Sequence, residues 1–156
     1  MKIVRGILWV AVAGWMAVIF FMSAKTSAQS SQISGSVIGA VVSAVVPGFD
    51  QMEEPDREAL IAQWQTLVRK GAHFGEYCLL GLLLYGALCT HRLNGRFRLF
   101  LAGWLCLLYA LGDEIHQAFV PGRGPGVFDV CLDFAGAMTG ILLLWGILRF
   151  LRRRRG

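Results

Sequence analysis

Charge is scarce in this chain of 156 residues: Asp, Glu, Lys and Arg together make up 16%, while 56% of the residues are hydrophobic. Soluble domains carry about 25% charged residues. With a mean hydropathy of +0.57 the shortage excludes a soluble domain and points to a small polytopic membrane protein. Paired cysteines are lacking too. Cys78, Cys89, Cys106 and Cys131 stand singly, without the spacing of a metal or redox site, and read as small apolar packing residues. No internal repeat is evident. The net charge of +5 does not imply nucleic acid, because the basic residues are split among loops and helix ends. The tail Arg152 to Arg155 abuts a span and reads as a stop-transfer anchor against anionic lipid.

What the chain does have is apolar runs, over Ile7–Met22, Phe74–Cys89, Leu99–Phe119 and Val130–Leu151. A crossing helix needs about 20 residues. With their flanks the runs predict an all-α polytopic fold, a single transmembrane domain over 1–156 with spans at about 5–22, 72–89, 99–119 and 130–151. Lys2, Arg5, Arg92, Arg96, Arg98, Arg149 and Arg152 to Arg155 then share one side, and the other five basic residues the opposite side. The positive-inside rule makes the first side cytoplasmic, with both termini. Residues 23–71 and 120–129 are expected to be extracytoplasmic, in a cell-membrane protein. The first span resembles a signal peptide, but its apolar run of 16 residues is long for one, which favours an uncleaved anchor.

The segment 23–71 opens with the loop-like composition of Ser23–Ser34. Val37–Val46 is too short to cross and predicts an interfacial helix or a re-entrant dip. Asp56 is a plausible N-cap for an outer amphipathic helix, with Leu60, Ile61, Trp64, Leu67 and Val68 at helical spacing, which feeds the second span. The loop Val120–Gly126, with two prolines and three glycines, leaves one side chain, Arg123, to point somewhere definite.

The polar residues inside the spans are the exception to the apolar pattern. Glu76, Glu114 and Asp133 each lie sixteen residues from an arginine at the opposite end of their helix. At about 1.5 Å per residue, all three sit roughly 24 Å above that boundary of a core about 30 Å thick. Asp113 is one residue deeper; His73, His116 and Asp129 lie nearer the surface. An acid facing mid-membrane lipid costs about 2.5–3.5 kcal/mol, so these groups are expected to face one another or a wet cavity. His73 and Glu76 share one helix face, as do Tyr109, Asp113, His116 and Gln117 on the next, and Asp129 and Asp133 on the last. The pairs Gly71/Gly75 and Gly136/Gly140 predict close helix contact beside them. Five acids face two fixed positives, Lys70 and Arg123, so neutrality requires protonated histidines, protonated carboxyls or a bound cation.

The ordered blocks Lys70-x-x-His73-x-x-Glu76-Tyr77, Asp113-Glu114-x-His116-Gln117-x-x-x-Pro121-Gly122-Arg123 and Asp129-x-x-x-Asp133-x-x-Gly136-x-x-x-Gly140 resemble the signature of the VanZ-like family of bacterial membrane proteins. The likeness covers about Lys70 to Leu151, and the stretch Ser27–Ser34 is similar to what often follows the first span in that family. Many members have Asn where this chain has Asp133. The resemblance implies a membrane location and a link to resistance to the glycopeptide antibiotic teicoplanin, and no particular reaction.

Two functional readings use the same residues. In one, an enzyme at the outer face uses Glu76, Asp113 or His116 as acid or base, while Lys70 and Arg123 hold an anionic headgroup. In the other, His73, Glu114, Gln117, Asp129 and Asp133 join them in binding, without catalysis, a lipid-linked cell-wall precursor, a lipid headgroup or the antibiotic itself. A third reading is a buried ion-pair network that only fixes helix register. His73-x-x-Glu76 and Asp113-x-x-His116 have the spacing to hold an ion, but the residue order and the lack of further ligands leave no metal site assigned. No pattern names a cofactor. The partners expected are the lipid bilayer and one of those headgroup ligands, with no nucleic acid.

Overall fold

The computed structural model describes residues 2–25, 38–121 and 126–154, and none of these residues is in a strand. Four helices are long and apolar enough to cross a membrane: α1 (Lys2–Ser23), α2 (Glu54–Cys89), α3 (Gly95–Ala118) and α4 (Val127–Arg153). This is the all-α, multi-pass architecture that the apolar runs predict.

The expected surface helix and second span are one unbroken helix. It starts after Glu53, not at Asp56. Pro55 fits the first turn, where a missing N–H leaves no carbonyl unpaired, and Glu54 and Asp56 complement the positive end of the helix. Its 36 residues extend about 54 Å at helical rise, beyond the thickness of a hydrocarbon core. Near its start it carries a small separate core, in which Ile38, Val42 and Phe49 are buried against Val46, Leu60, Ile61 and Trp64. Residues 38–45 are helical, and Gly48, at φ 80°, turns the chain into a 3-10 turn at Phe49–Gln51.

Within the bundle α2 and α4 make the most extensive contact. A methyl group on Gly136 would collide with the Phe74 carbonyl, one on Gly140 with that of Cys78, and one on Gly81 with that of Ala137. Small residues thus let the two backbones touch. The matching expectation for Gly71 and Gly75 fails, because among the described residues no atom of another helix lies within 4 Å of a Cβ at either position. The line of α2 that faces α4 runs through Phe74, Cys78 and Gly81, which leaves Gly75 to one side. Tyr77, Leu80, Cys106 and Ile141 fill the core, whereas Cys131 is exposed.

The helices alternate in direction. At one end Arg5 donates to the Thr90 carbonyl (3.1 Å) and Trp9 Nε1 to His91 Nε2 (3.0 Å), so the start of α1 meets the α2–α3 turn. Asn94 caps α3 there by accepting from the Arg96 N–H, and Arg98, Arg149 and Arg152 line a cleft at the same end. The carboxylates of the last three helices occupy the opposite end.

Candidate functional site

Ser23, the last residue of α1, is fully buried and donates to Asp113 Oδ2 at 2.8 Å. Gln117, one turn along α3, donates to the same oxygen at 2.9 Å and to Ser23 Oγ at 3.3 Å. Asp113 is held firmly by Oδ2, while its other oxygen, Oδ1, is buried and is not matched to a hydrogen-bond donor among the described residues, although the buried Tyr77 hydroxyl acts on this carboxylate.

Two more helices contribute to this point. One donor atom each from His73 on α2, Asp113 on α3 and Asp133 on α4 lie within 4.8 Å of one another. Asp133 is 2% exposed, its Oδ1 has no hydrogen-bond partner among the described residues, and Asp113, Asp129, Glu114 and Glu76 all act on it electrostatically. Glu76 stands behind the histidine, its Oε2 3.6 Å from His73 Nδ1. Tyr77 is fully buried one turn along α2, with its ring 6.1 Å from that of Tyr109. Trp15 donates to the Glu76 carbonyl (2.8 Å) and Tyr109 to the Met16 carbonyl (2.6 Å), which locks α1 against α2 and α3 just below the polar groups.

The other anticipated residues take separate places. Glu114 is buried and accepts from the Gly126 N–H, which ties α3 to the start of α4. Lys70 and Asp129 pair at 2.7 Å on the rim, with Lys70 Nζ 4.4 Å from the centre of the Phe128 ring. His116 stacks on Phe20, ring centres 4.2 Å apart, and its buried Nδ1 has no hydrogen-bond partner among the described residues. Arg123, like Ser27–Ser34, lies outside the described residues.

Ser23 is the residue that sequence reasoning missed. The signal was available: eighteen residues separate it from Arg5, about 27 Å at helical rise, which puts it in the layer of the other polar groups. Nothing in the sequence signals that Phe20 cradles His116, since that depends on how α1 is rotated.

Chemically, the arrangement offers buried carboxylate oxygens without donors. Such atoms are costly to leave unmet and suit a hydroxyl, an ammonium group or a cation. The fold and the site together define a multi-pass helical membrane protein with one polar cluster reached by all four helices. The chain belongs to the VanZ/LLP1 family, which it matches over residues 8–150. The match therefore takes in nearly all of α1 as well as the three signature blocks. No curated protein and no solved structure matches the chain.

Proposed function

We propose that this protein engages the polar head of a lipid-linked cell-envelope molecule at the extracytoplasmic end of its bundle. The observation that carries this reading is the convergence of His73, Asp113 and Asp133 from three helices, with buried carboxylate oxygens left without donors. Hydroxyl or ammonium groups of a sugar or peptide head supply such donors. Lys70, on the rim with Asp129, stands where a phosphate of the same head would lie. A register-fixing ion network is less well supported, because no Lys or Arg pairs with Asp133, the most buried of these acids, among the described residues.

The family's name links it to teicoplanin resistance. A protein that holds or alters an envelope precursor changes what a glycopeptide meets at the cell surface, so the phenotype fits the proposed site. Chemistry on the bound head would fall to Glu76, Asp113 and His116 as acid and base, and plain binding needs none of them to transfer a proton.

Titration of the purified protein in lipid nanodiscs with a lipid-linked cell-wall precursor tests the reading. Saturable binding is expected, weakened about ten-fold or more by Asp113→Asn and Asp133→Asn, since each removes a charge-assisted hydrogen bond. Equal binding by both variants, with thermal midpoints unchanged, overturns it. Mass spectrometry of the recovered lipid separates the two forms, because an enzyme returns a changed head and a binder an intact one.

A further inference from the structure

We propose that His73, Asp113 and Asp133 bind one divalent transition-metal ion of the zinc or manganese kind. The three donor atoms lie within 4.8 Å of one another. An ion sits about 2.0–2.2 Å from nitrogen and oxygen ligands, which in a tetrahedral shell stand about 3.4 Å apart. Side-chain shifts of up to about 1 Å close the set onto the ion.

The electrostatics call for relief here, by a proton on a carboxyl or on His73 or by a cation. Asp113 and Asp133 are 4% and 2% exposed, and no Lys or Arg pairs with either among the described residues. Lys70, the nearby cation on α2, is already engaged by Asp129. Two adjacent buried carboxylates without a counter-charge are strongly disfavoured, and a divalent ion between them removes the imbalance.

The supporting contacts have the form that metal sites use. Ser23 and Gln117 both bond to Asp113 Oδ2, and neither Asp113 Oδ1 nor Asp133 Oδ1 has a hydrogen-bond partner among the described residues. The Glu76 carboxylate beside His73 steadies the imidazole, as carboxylates behind metal-bound histidines do. One imidazole and two carboxylates suit zinc or manganese better than magnesium, which prefers an all-oxygen shell. Three protein ligands also leave a coordination position for an oxygen from outside. The spacing along any one helix conceals the set, because each helix gives a single ligand.

The probe is the ion alone, on the full-length protein stripped with a chelator and reloaded with MnCl2 or ZnCl2. One tightly held ion per chain is expected after desalting, together with hyperfine coupling to a single imidazole nitrogen in the pulsed electron paramagnetic resonance spectrum of the manganese form. His73→Gln should abolish that coupling. Asp113→Asn and Asp133→Asn should each weaken binding on the order of ten-fold or more, as disturbed metal shells do. Glu58→Gln, on an exposed part of α2, should leave it unchanged. An unloaded wild-type protein, a manganese spectrum without nitrogen coupling, or full binding by Asp133→Asn each overturns the proposal. The wild-type spectrum decides the matter even where a variant fails to fold. Because no lipid is present, this result is independent of precursor binding, and either can fail while the other stands.

Discussion

Ser23 and Asp113 are separated by ninety residues and joined by a 2.8 Å hydrogen bond between buried atoms. That bond brings α1, the least embedded of the four helices, into the polar cluster. Ser23→Ala removes one of the two donors to Asp113 Oδ2 and should cost about 1–2 kcal/mol, as expected for a buried bond to a charged acceptor. Reversible unfolding in mixed micelles measures the loss, and a change within error would show that Arg5, Trp9, Trp15 and Tyr109 hold α1 without it.

Glycine substitutions should divide by position. Gly136→Ala and Gly140→Ala drive a methyl into the Phe74 and Cys78 carbonyls, so α2 and α4 must separate, at a cost of about 1–3 kcal/mol or more. Gly75→Ala meets open space and gains helix propensity, up to about 1 kcal/mol. Thermal midpoints of the three purified variants should therefore fall, fall and hold or rise. Similar losses in all three would contradict the packing described.

The rim pair behaves differently from the interior. The side chains of Lys70 and Asp129 are 35% and 42% exposed, and an ion pair so open to its surroundings contributes no more than about 1 kcal/mol. Lys70→Met should leave the unfolding midpoint nearly unchanged while weakening precursor binding. A large drop in stability would make the pair structural and remove it from the proposed site.

The extent to which the site is legible in the sequence follows from what helix geometry determines. Rise per residue is nearly constant, so counting from the arginines places Glu76, Glu114 and Asp133 at one depth, and His73 with Asp113 close by. The same count, applied to α1, reaches Ser23. Rotation about each helix axis is set by packing, and no count reveals it. That is why Gly75 misses the α4 contact, why His116 finds Phe20 instead of Asp113, and why Glu114 closes on Gly126. The start of α2 moves from Asp56 to Glu53 for a local reason, the fit of Pro55 in a first turn.

Membrane orientation is open to direct measurement. In a cysteine-free background, Gln51→Cys on the small outer core should react with an impermeant maleimide on intact cells. Asn94→Cys, at the arginine-rich end, should react only after permeabilisation, as the Lys and Arg distribution requires. The reverse pattern would invert the assignment and place the polar cluster on the cytoplasmic side.

The bare flanks of Gly71 and Gly75 affect the stiffness of α2. Each glycine lowers helix stability by about 1 kcal/mol relative to alanine, and neither has a neighbour within 4 Å of where its Cβ would be. His73 lies between them. The most compliant stretch of the longest helix therefore coincides with the level of the polar cluster, below the small core carried by Leu60, Ile61 and Trp64. Bending at Gly71 tilts that core relative to Asp113 and Asp133 while leaving the close backbone contacts at Phe74 and Cys78 in place.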